Sequence, residues 1–282
     1  MSPALPPQSA IDADVRRALA EDIGSGDATA VLVPATRTAQ ATLVAKEPGV
    51  LAGRAWAQAC FETLDPRVRI GWHRADGEPF AAGDLLCRIE GPARALLAGE
   101  RSALNFLQTL SATASVAAAF VAAVAGTGAT ILDTRKTLPG LRLAQKYAVR
   151  AGGASNHRIG LFDAVLIKEN HIACAGSVPA AIAAARAASP GLLLEVEVES
   201  LDEFAQALAC APDRIMLDDF SLDELREAVR IGAGRVPLES SGSVSLDSVR
   251  AVAATGVDYI SVGALTKHVR AIDLSMRVVL AG

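Results

Sequence analysis

The sequence predicts an α/β protein, an incomplete parallel α/β barrel with a smaller N-terminal α+β domain. Three observations carry this. In the second half, short apolar runs alternate with helical stretches, the pattern of strand–helix units that build a parallel sheet. The last four runs start about 22 residues apart, room for one strand, one helix and two short loops. The first half lacks that rhythm.

The apolar runs are 129–133, 164–168, 192–198, 214–218, 236–240 and 259–262, and each reads as a strand buried on both faces. Helices are predicted at 141–151, 178–188, 201–209, 222–231 and 246–254. An all-parallel sheet must be covered on both faces or close on itself, and six strands suit a barrel slightly smaller than the eight-stranded form. An open doubly wound sheet is the competing architecture. Toward the N-terminus, 15–23 and 54–64 read as helices, and 41–50, 68–74, 85–90 and 93–97 as strands. A long helical region follows from Leu97 to Val124, with a break predicted near Ser111–Thr113. The domain boundary falls there, giving an N-terminal domain over 1–112 and a barrel over 113–269, with 270–282 free to return to the first domain.

Composition narrows the function. Hydrophobic residues are 51% of the 282 and aromatic residues 4%, so the core is built from Ala, Val, Leu and Ile. The formal net charge is −4, which leaves no broad footprint for nucleic acid; any basic site must be local. Cys60, Cys87, Cys174 and Cys210 form no CxxC pair and read as small core residues in a reducing, cytoplasmic setting. The four histidines show no spacing for a structural metal. Met1–Ala10 reads as a loose tail without a signal-peptide pattern. The apolar stretch 112–124 is too short for a membrane span.

Parallel barrels carry their reactive groups at the C-terminal ends of the strands, where the loops converge. The predicted strand ends read Asp133-Thr134-Arg135-Lys136, Lys168-Glu169-Asn170-His171, Asp218-Asp219, Glu239-Ser240-Ser241-Gly242-Ser243 and Val262-Gly263-Ala264. Between Asp133 and Lys168 there are seven Lys or Arg against two Asp, within a net acidic chain. Arg142, Lys146 and Arg150 are assigned to a solvated helix face. Lys168 closes an apolar run and therefore needs an anion beside it. Glu195, Glu197 and Glu199 alternate, which puts all three on one face, where they need cations, a metal or hydroxyl donors. Ser240–Ser243 ahead of a helix, together with Val262–Ala264, reads as a phosphate cradle. The inventory points to a small, multiply anionic substrate. A Schiff-base aldolase using Lys168 and an anion-binding protein without turnover are the rivals.

These residues also carry a resemblance. The blocks Glu21-Asp22-Ile23-Gly24-Ser25-Gly26-Asp27, Glu100-Arg101-Ser102-Ala103-Leu104-Asn105, Asp133-Thr134-Arg135-Lys136-Thr137-Leu138-Pro139-Gly140, Asn156-His157-Arg158 and Ile167-Lys168-Glu169-Asn170-His171 resemble the quinolinate phosphoribosyltransferase family. So do Glu195-Val196-Glu197-Val198-Glu199, Met216-Leu217-Asp218, Glu239-Ser240-Ser241-Gly242 and Val262-Gly263-Ala264-Leu265-Thr266, in order from about residue 15 to the C-terminus. A molybdenum-transport-associated paralogue of the same fold resembles the basic motifs but fits the last blocks less well. The resemblance implies that quinolinate and phosphoribosyl pyrophosphate give nicotinate mononucleotide, pyrophosphate and CO2 with Mg2+, in NAD biosynthesis. It implies a homodimer in which Arg101 enters the site of the other subunit. Arg135, His157 and Arg158 would hold the quinolinate carboxylates, and Thr134, Lys136 and Lys168 would contact substrate. Glu197 and Asp218 would face the ribose and, partly through substrate and water, the metal. Ser241, Gly242 and Ser243 with Val262, Gly263 and Ala264 would take the 5′-phosphate. Lys136, Glu197 and Asp218 are the residues on which catalysis would rest.

Overall fold

The computed structural model describes residues 3–280. In chain order its elements begin with α1 (Gln8–Ile23), β1 (Thr38–Ala45), β2 (Gly49–Val50), α2 (Arg54–Leu64), β3 (Arg69–Trp72), β4 (Pro79–Phe80), β5 (Leu85–Pro92) and α3 (Ala93–Ala123). They continue with β6 (Thr130–Leu132), α4 (Arg142–Ala151), β7 (Ala164–Ile167), α5 (Glu169–Ala175), α6 (Val178–Ala188), β8 (Leu193–Val198) and α7 (Leu201–Cys210). The last are β9 (Arg214–Asp218), α8 (Leu222–Gly232), β10 (Leu238–Ser241), α9 (Val249–Ala253), β11 (Tyr259–Ser261), α10 (Ala264–Lys267) and β12 (Leu274–Leu280). Two compact units result: of the described residues, those within 1–118, 137–153 and 268–282 form one, and 119–136 with 154–267 form the other.

The first unit is built on an antiparallel sheet of order β12-β1-β5-β3. The C-terminal strand pairs with β1 from Ala39–Leu280 to Ala45–Leu274. Buried and exposed positions alternate along β1, as they do when a sheet covers a core with one face only. Trp56, Phe61, Leu96, Leu107 and Leu110 fill that core. Trp56 keeps its indole N–H satisfied by donating to Asp14 Oδ2 at 3.0 Å.

Several expectations are corrected in this unit. Residues 93–97 are not a strand: Pro92 ends β5, and the Ala- and Leu-rich run that follows starts α3. Nor does α3 break at Ser111–Thr113. Ser111 and Ser115 return their hydroxyls to main-chain carbonyls or reach across to Ala52 and Val50, so the polar residues brace a neighbouring segment. Although α3 is long and apolar enough to cross a membrane, half of its most apolar window is buried inside the protein. The run 41–50 is two strands interrupted at 46–48. Part of the expected tail lies outside the described residues; from Gln8 onward it is helix. Lys146, expected on a solvated face, is 2% exposed. It lies on α4, which groups with the first unit and buries nearly every residue from Ala144 to Ala151.

The second unit holds six parallel strands in the order β6-β11-β10-β9-β8-β7. From β7 to β11 each strand lies beside its successor in sequence, and β11 returns to β6. No reversal of order occurs, so the doubly wound alternative is excluded. Among the described residues no ladder joins β6 to β7; an isolated bridge links Leu132 to Ser155, which precedes β7, and the barrel is left incomplete. Strand β8 is buried at every position from Leu194 to Val198, as a strand with helices outside and a filled lumen inside must be. Helices α6, α7 and α8 start on Ser177, Ser200 and Ser221, each hydroxyl accepting a first-turn N–H. Glu224 closes a capping box on Ser221.

Phe204 on α7 is fully buried in this second unit. Truncating it leaves a cavity that the packed interior cannot close. Phe204→Ala is expected to lower the unfolding free energy by about 3–5 kcal/mol. Chemical denaturation followed by circular dichroism checks this.

Candidate active site

The C-terminal ends of the barrel strands enclose a cavity of about 340 Å³. Its walls are Thr134, Arg135, Lys136, His157, Arg158, Leu166, Lys168, Glu197, Met216, Glu239, Ser241 and Ser261. Eight of the residues singled out in the sequence thus meet in one place: Thr134, Arg135, Lys136, His157, Arg158, Lys168, Glu197 and Ser241. Asp218 ends β9 close enough to Glu197 to act on its charge. Gly263 packs on Lys136 and Thr134; a Cβ there would stand 3.2 Å from Lys136 Cδ. Val262 is buried beside it, and Ala264 begins α10. Arg101 is exposed on α3 in the first unit and does not line this cavity.

Each cation has a local reason for its position. The backbone of Lys136 is held twice, its N–H donating to Thr134 Oγ1 and its carbonyl accepting from the Thr266 hydroxyl. Asp133, fully buried at the end of β6, accepts from Asn156 Nδ2 at 2.7 Å and from the His157 backbone N–H at 2.8 Å. One carboxylate therefore ties the His157–Arg158 segment to the first barrel strand. Beyond it, Asp163 folds the loop by accepting from the N–H groups of Ile159 and Gly160. The backbone N–H of Lys168 donates to His171 Nδ1, which fixes the start of α5.

Lys168 finds the anion its position requires, because its ammonium is paired with Glu197. An amine held in that pair is not the free nucleophile a Schiff base needs. Glu197 is nearly buried, and desolvation raises its pKa against the opposing effect of Lys168. Burial, and then the nearby Arg135 guanidinium, lower the pKa of Arg158. Two guanidinium groups held close enough to repel each other are arranged for a ligand with more than one negative charge.

Two expectations change. Glu199 lies beyond β8 and is exposed, so Glu195 and Glu197 alone face inward. Helix α9 starts at Val249, with the turn around Ser245 and Ser248 ahead of it. Ser241 ends β10 and Gly242-Ser243 form a bend after it, so no helix N-terminus points through them. Gly242 has φ +133° and lies so close to Asp219 that a Cβ would overlap its carboxylate. Asp219 itself takes a left-handed φ of 53°.

Sequence reasoning missed the floor of the cavity. Glu195 and Glu239 are fully buried, and His157 Nε2 lies 2.7 Å from Glu195 Oε2 and 3.6 Å from Glu239 Oε2. Arg214 reaches Glu239 Oε2 at 2.8 Å while stacking 4.0 Å over the Tyr259 ring. The available signal was period two: Glu195 shares a strand face with Glu197, one layer lower.

These features define a class: a barrel enzyme whose mouth handles multiply anionic small molecules. Comparison with known proteins goes one step further. The N-terminal domain model of quinolinate phosphoribosyl transferase matches residues 27–111, and the C-terminal domain model matches residues 113–277. A carboxylating nicotinate-nucleotide pyrophosphorylase of Mycobacterium leprae is 45% identical, over 93% of this chain and 95% of its own. The solved nicotinate-nucleotide pyrophosphorylase of Francisella tularensis superposes with a TM-score of 0.94 at 45% identity, covering 97% of each chain. NadC from Streptococcus pyogenes gives 0.95 at 42% identity, covering 100% of each. The chain belongs to the quinolinate phosphoribosyl transferase family.

Burial and the neighbouring Glu195 push the Glu239 carboxyl up to about 7, from an ordinary 4.5. The folded state thus favours the protonated form, and this contribution is complete below the unfolded pKa and lost as pH rises through the folded one. Relative to Glu239→Gln, the native protein is expected to lose on the order of 3 kcal/mol of stability between about pH 4.5 and pH 7.5. Denaturant titrations of both proteins across that range measure the difference.

Proposed function

We infer that this chain transfers the phosphoribosyl group of phosphoribosyl pyrophosphate to the ring nitrogen of quinolinate, with loss of CO2, giving nicotinate mononucleotide and pyrophosphate in NAD biosynthesis. The observation that carries the reading is the convergence of Arg135, Lys136, Arg158 and Lys168 around one cavity that also holds the Glu197 carboxylate. Simple anion binding gains nothing from a carboxylate there. A reaction that develops positive charge on the ribose does.

Arg135 and Arg158 suit the two carboxylates of quinolinate, since planar guanidinium forks bind carboxylates in pairs of hydrogen bonds. Lys136, braced through its own backbone, supplies a point charge between carboxylate and donor. As pyrophosphate leaves, the ribose carbon becomes cationic, and Glu197 and Asp218 stabilise it electrostatically. Attack by the pyridine nitrogen then places positive charge in the ring, which draws the electrons left behind when the adjacent carboxylate departs as CO2. Ser241–Ser243 and Val262–Ala264 offer backbone N–H groups and small side chains to the 5′-phosphate. The protein's task is mainly to position charges and exclude water.

Glu197 and Asp218 are hard oxygen donors next to the donor site, which fits Mg2+, an ion that keeps several waters and binds through one or two carboxylates plus substrate phosphates. Bound there, it would neutralise charge on the pyrophosphate. We further propose a cytoplasmic homodimer in which Arg101 of one subunit serves the site of the other. Free cysteines support the reducing compartment.

Purified protein given quinolinate, phosphoribosyl pyrophosphate and Mg2+ is expected to release CO2 and nicotinate mononucleotide; no product would end the assignment. Lys136→Ala is expected to lower kcat by about 10²–10³ with the fold intact, the range for removal of one preorganised charge. Arg101→Ala and Lys136→Ala, each weak alone, should regain activity when unfolded and refolded together. Recovery requires sites assembled from two chains, so failure of the mixture counts against a shared site.

A further inference from the structure

Lys136 lies in the irregular segment after β6, and its side chain is exposed. A lysine carries its charge on a flexible stem and gives up much rotamer freedom whenever that charge must stay in one place. The direction in which the stem leaves the chain is set by the two planar peptide groups that flank its Cα. The first is held from within the loop, where the Lys136 N–H donates to Thr134 Oγ1 at 3.1 Å. The second is held from 130 residues away, where the Thr266 hydroxyl donates to the Lys136 carbonyl at 2.8 Å.

That second bond is unusual in its partner. Thr113, Thr127 and Thr255 return their hydroxyls to carbonyls three or four residues earlier, the ordinary outcome for a threonine in or just after a helix. Thr266, on α10, has the Val262 and Gly263 carbonyls at the same spacing, yet gives its proton to Lys136. It is fully buried, so water is no substitute. The segment that carries it is anchored beside the Lys136 loop: β11 pairs with β6, and the Val262 N–H extends that ladder to the Leu132 carbonyl at 2.9 Å. Gly263 lies under the lysine stem. It has no left-handed φ that would call for glycine, but a Cβ there would stand 3.2 Å from Lys136 Cδ. The turn after β11 therefore leaves room for the stem and fixes the backbone at its root.

We propose that Thr266 is a positioning residue for Lys136: its hydroxyl, by holding the Lys136 carbonyl, aims the ammonium at the ligand in the cavity that Lys136 lines. A side chain of the same shape without the donor frees the carbonyl to turn, and the root of the stem turns with it. The ammonium then spreads over positions away from the one where charge develops. A charge displaced by about 1 Å loses much of its effect on a transition state.

This role rests on the proposed reaction, and the test keeps the two apart. Thr266→Val removes the donor and keeps the shape, whereas Thr266→Ser keeps the donor. In assays with quinolinate, phosphoribosyl pyrophosphate and Mg2+, Thr266→Val should lower kcat about tenfold and Thr266→Ser by less than about twofold. Added to Lys136→Ala, where no ammonium is left to misplace, Thr266→Val should change kcat by less than about twofold. A valine protein equal to the native one, a serine protein as impaired as the valine one, or the full tenfold loss on top of Lys136→Ala each overturns the proposal. Where circular dichroism shows the valine protein unfolded, Thr266→Ala takes its place; if that also fails to fold, the hydroxyl serves stability and the proposal falls. If the native protein never turns over quinolinate, the assignment of the reaction is what fails. Calorimetric binding of inorganic pyrophosphate then decides the role of Thr266: Kd should rise about fivefold in Thr266→Val, by less than about twofold in Thr266→Ser, and no further when Thr266→Val is added to Lys136→Ala. Any other order of affinities, or no binding, overturns it.

Discussion

Everything in the second unit answers to one constraint: charged groups have been taken out of water and each must be compensated on the spot. Asp133, Glu195, Glu197 and Glu239 are all less than 10% exposed in the barrel. A carboxylate so placed costs several kcal/mol unless it is paired, hydrogen-bonded or protonated. The structure uses all three remedies. Asp133 is answered by amide donors from 156 and 157, Glu197 by Lys168, and Glu239 by Arg214 and a raised affinity for a proton. The positions of the basic residues follow from this. Lys168 stands at the end of β7 because β8 presents Glu197 next to it, and His157 turns inward because β6 ends in Asp133.

The period of the strand divides these charges into two layers. Glu195 and Glu197 are two residues apart on β8 and point the same way, yet the lower one meets histidine and arginine in a closed floor while the upper one meets lysine at an open mouth. The same division runs through β10, where Glu239 belongs to the floor and Ser241 to the mouth. A floor that water cannot reach has fixed geometry, and a mouth built on it inherits that rigidity. Precise placement of Arg158 therefore owes as much to the buried layer as to its own loop.

The barrel was legible because its signals are local and repeated. Buried parallel strands must be apolar on both faces, and their polar ends mark where loops begin, so the strand runs and the eight cavity residues could be read from order alone. What was not legible depended on partners far away in the chain. Ser111 and Thr113 look like a helix break until Ser111 is seen serving the backbone of Ala52, 59 residues away. Lys146 looks like a surface residue until α4 is placed. Glu195 and Glu239 look like members of an acidic strand pattern, because the pairing of 157 with 195, or 214 with 239, comes only from the closing of the sheet. Charges in contact across strands leave no mark on neighbouring positions in sequence.

That difference bears on what kind of active site this is. The mouth is a set of cations whose identity, Arg where bidentate geometry matters and Lys where a point charge suffices, can be argued from residue types. Arg135 acts on Arg158 as a like charge, and Glu195, Asp163 and Glu197 oppose that effect from around the mouth. The floor works the other way, holding its charges against one another, Glu239 on Arg214 and Glu195 beside His157. A buried carboxylate left unpaired beneath the mouth would act on its cations at a distance too short for solvent to screen, so the pairing within the floor keeps the mouth cationic.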